Sequence, residues 1–477
     1  MPRPYSIRPR SSRPFWFLVV LSLLAGASAL AAQSPSEEAG ADSAKMAWPQ
    51  FRGPEGLGHA AGPAPPAEFD VESGKNVLWR TAVPGLAHSS PVVWGDLVFV
   101  TTAVTVGDKP QSLKAGMYGD IGGPGDQDQV FRWQVLAYDR HTGELAWLRT
   151  AAASLPATGR HTKSTHADPT PAVDGERVVV SFGSKGFFAY AHDGQLLWEK
   201  NFGVLDGAFF RVPSAQWGYG TSPILVDGRV VVQADVVGES FLAVLDADTG
   251  KEVWRTKRQD VPTWSTPAVA DLGDRRQILA NGHKHLGGYD FETGEALWWM
   301  TSLSDIPVPT PQVAEGADGP VAYFGGAHGG GAPIYAVDLD ARGDLDQKEP
   351  REAHLLWSHD RFSSYLPSHL IHGDQLLVLR DGGILVSFDR HSGEKQSETR
   401  IRSGAHTASP IAAGQQIYLA AESGEVTVLG GTGELEQVGI GQVDDVVHAT
   451  PAISNGILFV RGAKYLTALG ASPESTD

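Results

Sequence analysis

Seven rings recur at one place in this sequence. His88, His166, Tyr219, Trp264, Tyr365, His406 and His448 each stand two to four residues before a Ser/Thr-Pro pair or its equivalent. Such a collar can stack on a planar ligand or a sugar, and its imidazoles can coordinate a metal ion if they converge. The plainer alternative is that the rings plug a channel and pack against inserted loops. A second group is cationic: Arg160, His161, Lys163 and His166 crowd one segment, and His283, Lys284 and His285 crowd another. Cations gathered in an acidic protein point to an anionic or carboxylate-bearing ligand, or to salt bridges with near acids such as Asp168. His283 and His285 alternate as two zinc ligands on one strand face would, but spacing yields no third ligand. His328 precedes Gly329, Gly330 and Gly331, which permit either close backbone approach to a ligand or a wide turn. No G-x-S-x-G elbow, Walker loop or H-E-x-x-H helix is present, so hydrolysis by those routes is not indicated.

The elements that must position these residues repeat. Openings fall at Ser90-Pro91, Thr170-Pro171, Ser222-Pro223, Thr266-Pro267, Thr310-Pro311, Ser368-His369, Ser409-Pro410 and Thr450-Pro451, and the uninterrupted spacing is 41 to 44 residues. Each opening leads through three apolar stretches to a turn and a further stretch, usually with a Trp. Four turns read D-x-x-S/T-G, beginning at Asp139, Asp246, Asp290 and Asp389; after the first three a Trp follows at Trp147, Trp254 and Trp298. Trp198, Trp357 and Trp79 close their own units. Asp accepts backbone amides across such a turn, Gly takes a positive φ, and a ring recurring once per unit wedges neighbouring sheets. Four strands in about forty residues is one propeller blade. The expected fold is therefore all-β, an eight-bladed β-propeller of four-stranded antiparallel blades. The last unit has three strands and the segment around Trp79 has one, so the N-terminal strand is expected to close the last blade. In this architecture the loop entering the first strand and the loop joining the second to the third share a face. The insertions at residues 104–132, 151–168 and 201–221 belong to those loops, as do Lys185 and residues 283–285 and 325–331.

Composition sets the bounds. The chain is 42% hydrophobic, 19% charged and carries 56 glycines, a profile of many short strands and tight turns that excludes a helical bundle or a disordered chain. A net charge of −17 argues against nucleic acid as partner. Residues 1–32 read as an export signal: Arg3, Arg8, Arg10 and Arg13, an apolar run over residues 15–24, then Ala27, Ala29 and Ala31. Retention as a membrane anchor is the alternative; no later stretch is apolar enough to span. There is no cysteine, hence no disulfide and no lipid-anchor thiol. The expected organisation is a signal at 1–32, a flexible linker at 33–47, the propeller at 48–470 and a disordered tail at 471–477. The expected product is a periplasmic or secreted monomer without a membrane span.

The repeat resembles the pyrroloquinoline-quinone repeat superfamily, which includes quinoprotein dehydrogenases and outer-membrane assembly scaffolds of the BamB type. Trp48-Pro49-Gln50-Phe51-Arg52-Gly53-Pro54, Arg160-His161-Thr162-Lys163 and His283-Lys284-His285 look like a subgroup of exported bacterial propellers without assigned activity. The resemblance implies one of two functions. The first is a binding scaffold, taking a small-molecule, glycan or protein ligand at the decorated face. The second is an alcohol or sugar dehydrogenase with pyrroloquinoline quinone and calcium as cofactors. That chemistry needs a cofactor clamped between rings, oxygen ligands for calcium and a carboxylate base. Trp264 or Trp217 can stack, and Asp168 or Asp235 can supply oxygen. The family's dehydrogenases also carry a disulfide of adjacent cysteines, which this chain cannot make. The scaffold is therefore the favoured expectation.

Overall fold

A computed structural model describes residues 46–107, 111, 113 and 126–471. The expected signal, the linker up to residue 45, much of the first insertion and the tail beyond residue 471 lie outside the described residues. The fold is all-β. Eight sheets each contain a core of four antiparallel strands, propeller-like blades that follow one another along the chain. Numbered in chain order, they start from the inner strands Val92–Trp94, Ala172–Val173, Ile224–Val226, Ala268–Asp271, Gln312–Glu315, Leu370–His372, Ile411–Ala413 and Ala452–Ser454. In the eighth sheet the fourth strand is Val77–Ala82, which pairs antiparallel with Tyr465–Leu469.

Second and third strands read as continuous apolar runs because both their faces are covered. Arg177–Ser181 is buried at every position, whereas the outermost strand of the sixth sheet, Lys395–Arg400, is exposed at every position. Burial of the inner strands follows from their place against neighbouring sheets: one core cluster joins Val93, Val98 and Tyr138 of the first sheet to Phe459 and Leu466 of the eighth.

The D-x-x-S/T-G turns form as expected and explain their own glycine. Asp139 Oδ1 accepts the N–H groups of His141 (2.9 Å) and Thr142 (2.8 Å), and Asp389 does the same for His391 and Ser392. The indole of the preceding sheet lies flat on the turn. Trp79 Nε1 donates to the Arg140 carbonyl (2.8 Å), Trp147 to His192 (2.6 Å), Trp198 to Ala247 (2.7 Å), Trp254 to Phe291 (3.0 Å) and Trp357 to Arg390 (3.0 Å). At Gly143, Gly250 and Gly393 a Cβ would come within 2.6 Å of the ring, so only glycine permits this approach.

The N-terminal segment crosses the inner strands. Trp48 exchanges two backbone bonds with Val93 (2.9 Å each), Val173 N–H donates to Pro49, and His59–Ala60 pairs parallel with Ala412 and Ala413 of the seventh sheet. Arg52, wholly buried, donates to the carbonyls of Gly56, Leu57, His369 (2.7 Å) and Pro410 (3.0 Å) and to Gln312 Oε1. Five acceptors satisfy the guanidinium, and burial still holds it down to about 9. Residues 48–60 thus tie the first, second, fifth, sixth and seventh sheets at their inner strands.

Two features were not expected from sequence. Parallel two-residue strands lie on two outer edges, Phe69–Asp70 on the seventh sheet and Gly343–Asp344 on the fourth. A seven-residue helix, Lys348–His354, precedes the outer strand of the fifth sheet. Among the described residues no helix is long and apolar enough to cross a membrane.

Candidate functional site

The Ser/Thr of each opening has a structural cause. The N–H of Ser90 donates to Thr170 Oγ1, that of Thr170 to Ser222 Oγ and that of Ser222 to Thr266 Oγ1. On the other side Thr310 donates to Ser368, Ser368 to Ser409 and Ser409 to Thr450, at 2.9 Å each. Six of the eight entries are thus pinned to the hydroxyl of the next, and the following proline keeps the pinned residue extended. His369 stands where the sixth sheet lacks that proline; its Nε2 meets Ser363 Oγ at 3.0 Å and its carbonyl receives Arg52.

Above this belt is a cavity of about 180 Å³ with Phe51 in its lining. One wall is aromatic and aliphatic: Trp217, Trp264, Ile306, Val308 and Tyr365. The 201–221 insertion builds that wall by packing Phe209 and Ala215 against Ile306, and Arg211 binds Asp305 beside it. Trp264 is set by its Nε1 bond to the Gly218 carbonyl (2.8 Å), and Trp217 lies edge-on to it at 6.4 Å. Polar groups complete the lining: His88, His448, Ser164 and Asp168.

His88 and His448 face each other with ring centroids 4.7 Å apart. His88 Nδ1 is 3.5 Å from Asp168, and His448 Nδ1 is 3.8 Å from Glu422 and 3.2 Å from the Thr407 hydroxyl. The Nε2 atoms of both rings are buried and have no hydrogen-bond partner among the described residues. Burial, with Arg160, Arg461 and Lys163 adding, lowers His88 to about 3; burial, with His88 and Lys163 adding, lowers His448 to about 2. At neutral pH the lining therefore presents two uncharged imidazoles, each able to donate or accept through Nε2 according to its tautomer. Asp168 is pushed up to about 6 by burial, against the Ser164 and Thr165 hydroxyls that hold it.

The collar read from sequence divides. His88, Trp264, Tyr365 and His448 line the cavity. His166 and Tyr219 instead flank a separate pocket of about 30 Å³ with Trp133 and Lys185. His406 is buried in its own loop, bonded to Gly404 O and Ser403 Oγ. The cationic segment is not a solvent-facing cluster: Arg160, His161 and Lys163 are 1%, 1% and 4% exposed. Arg160 pairs with Asp126 and donates to the Ser164 carbonyl (2.7 Å), while His161 stacks on Trp217 at 4.3 Å. These residues shape the loop that carries Trp217 and Ser164.

The second cluster is pulled apart by its partners. His283 bonds the Ser304 carbonyl and stacks on Phe210; His285 bonds Tyr289 and stacks on Trp299; Lys284 is exposed. What unites them is the backbone: Asp260 accepts all three N–H groups at 3.2, 3.0 and 3.0 Å. No group of three or more His, Cys, Asp or Glu among the described residues is arranged to hold a metal ion. His328 sits at φ 80° in the ribbon Ala327–Gly329, paired with Ser304–Ile306 instead of a wide turn, with its ring near Tyr365 (6.2 Å). Sequence reading missed Phe51, Ser164, Ile306 and Thr407. The signal available was the invariable hydroxyl of the openings, which marks the level at which the cavity lies.

Four-stranded antiparallel sheets consistent with propeller-like blades, with a cavity over their inner strands, fit a repeat protein of the pyrroloquinoline-quinone type. Residues 67–203, 132–306 and 211–431 match the family described as outer membrane protein assembly factor BamB, and the chain belongs to that repeat family. The solved structure of BamB from Moraxella catarrhalis is similar with a TM-score of 0.50 at 15% identity, covering 80% of this chain and 99% of that one. A europium-containing methanol dehydrogenase gives 0.58 at 10% identity over 89% and 91% of the two chains. The quinohemoprotein alcohol dehydrogenase from Comamonas testosteroni gives 0.59 at 10% identity over 92% and 83%. At these identities the likeness is one of fold. No curated protein matches the sequence.

Proposed function

We propose that the eight sheets form one closed ring and that the protein is an exported, monomeric binding propeller whose ligand enters the cavity over the inner strands. Support for the ring is the seam itself, where Val77–Ala82 completes the eighth sheet and Trp79 docks on Gly143 of the first. The observation that carries the binding reading is a cavity lined by Trp217, Trp264 and Tyr365 together with His88 and His448, neutral imidazoles whose Nε2 atoms have no hydrogen-bond partner among the described residues. A buried polar atom without a partner costs free energy unless something supplies the bond. The cavity is small beside the roughly 300–1,000 Å³ of a typical ligand pocket, so it admits one ring system with a hydrogen-bonding edge. That ring can belong to a small molecule, a glycan or a protein side chain.

The residues present do not fit calcium with pyrroloquinoline quinone. Calcium takes about six to eight oxygen ligands. Asp168 is the one carboxylate in the lining; both its oxygens already accept bonds from Ser164 and Thr165, and burial raises it to about 6. The adjacent-cysteine disulfide has no counterpart.

Calorimetry on the purified protein, titrated in parallel with quinone plus calcium and with aryl glycosides and phenols, tests the reading. The expected result is saturable binding of a single-ring ligand, weakened about tenfold by Trp264→Ala. Calcium-dependent quinone binding followed by dye reduction with alcohols or sugars would replace it with the dehydrogenase reading.

A further inference from the structure

Seven of the eight junctions between successive sheets are wedged by an aromatic ring from the outer layer. Five use the indole-on-glycine contact of Trp79, Trp147, Trp198, Trp254 and Trp357. At the junction of fourth and fifth sheets Trp298 meets Phe324 at 5.8 Å, while Gln277 bonds the Leu339 carbonyl. At the junction of seventh and eighth the wedge comes from outside the sheet's own strands: Phe69 packs on Gly441, carried by Phe69–Asp70 laid parallel along the outer edge.

Between the sixth and seventh sheets the ring is missing. Each docking indole on an outer strand pairs with the residue just before a bulge, as Trp357 does with Ala336 and Trp254 with Val244. The residue in that register on the sixth sheet is Ser397, paired with Ser387. Across the gap a Cβ on Gly433 would meet nothing within 4 Å, whereas Gly143, Gly194, Gly250, Gly294 and Gly393 lie under a ring. His372 and Gln375 bridge the space instead, donating to the Gly431 and Gly433 carbonyls at 3.0 and 2.8 Å. What remains is a groove of about 870 Å³ with Leu385, Ile401, Leu429 and Leu435 in its lining and Lys395, Arg400 and Arg402 against Glu394 and Glu434 at its rim.

We propose that this groove is a protein-docking site, taking an extended, acidic partner segment that inserts one aromatic side chain where the eighth wedge is absent. The molecule supplies the template: Glu68-Phe69-Asp70 is such a segment, acidic on both flanks of its ring, already seated on the next edge. The outer strand Lys395–Arg400 is exposed along its whole length and offers the partner an unpaired backbone edge. Lys395 is paired with Glu398, and the exposed Arg400 and Arg402 in the groove lining favour acidic flanks.

The test is anisotropy of a labelled peptide, Ac-Ala-Glu-Trp-Asp-Val-amide, against the full protein, with the Trp-to-Ala peptide as control. The Trp peptide is expected to bind and the control to bind at least about tenfold more weakly, as loss of a buried aromatic anchor implies. Ser397→Trp fills the slot in cis; it should raise the melting temperature and abolish binding. Arg400→Glu with Arg402→Glu, exposed and harmless to folding, should weaken binding severalfold, while Trp264→Ala leaves it unchanged. Absence of binding at about 1 mM peptide, the weak limit of specific recognition, overturns the proposal. So does equal binding of both peptides, or affinity retained in the Ser397 and arginine variants. Self-association that Ser397→Trp removes would assign the groove to a second copy and overturn it too.

Discussion

The N-terminal segment that crosses the inner strands and the cavity beside it are built from similar residue types and treated in opposite ways. In the segment a wholly buried arginine finds five acceptors, a tryptophan pairs its backbone twice and an imidazole bonds the Ile371 carbonyl at 2.6 Å. At the cavity, His88 and His448 leave Nε2 without a partner among the described residues, and an indole and a phenol stand half-exposed beside them. A buried guanidinium with five acceptors belongs to the fold, whereas imidazoles without a partner in the lining of a cavity are where a ligand can supply a bond.

Substitutions should separate the two regions. Arg52→Leu is expected to cost about 3 kcal/mol or more, because five carbonyl and amide acceptors lose their donor at once. Urea denaturation measures it, and an unchanged midpoint would remove the segment from the structural side. Trp264→Ala at the cavity should shift the melting point little yet weaken a cavity ligand by about 1–2 kcal/mol; a large stability loss with intact affinity would reverse the assignment.

The smallest effect is in pH. His88 and His448 have native values depressed to about 3 and about 2, so the stability they contribute is whole above the ordinary 6.5 and is lost as pH falls toward those values. Asp168 runs oppositely: raised to about 6, it favours the fold most below its ordinary 3.8 and loses that contribution as pH rises through about 6. The double variant His88→Phe, His448→Phe should therefore be less acid-sensitive than the native protein, and Asp168→Asn should gain relative stability above pH 6. Melting curves from pH 4 to 8 decide both. Parallel curves for all three proteins would show that these groups titrate freely.

Legibility fell unevenly. The repeat, its openings, the Asp turns and the Trp wedges were readable because each is a local pattern repeated at one spacing. The division of the collar was not. His88 and His166 both stand just before their openings, yet the 151–168 loop turns His166 toward Trp133 and Phe131 while His88 meets His448 from the far end of the chain. The cations at Arg160 and Lys163 looked like a binding surface because sequence shows charge and not the carbonyls and Asp126 that enclose it. Residues 48–54 were noticed as a family mark, but their role could not be seen without the sheets they cross.

What the residues alone determine is the blade: β-branched runs, a glycine under each indole and a hydroxyl at each entry prescribe one sheet and its contact with the next. What only the tertiary structure decides is which rings share the cavity, which cations are already satisfied and which junction is left without a wedge. The reason is distance along the chain. Blade contacts join residues within about one repeat, whereas the site is assembled from loops hundreds of residues apart, whose directions depend on insertions that follow no period.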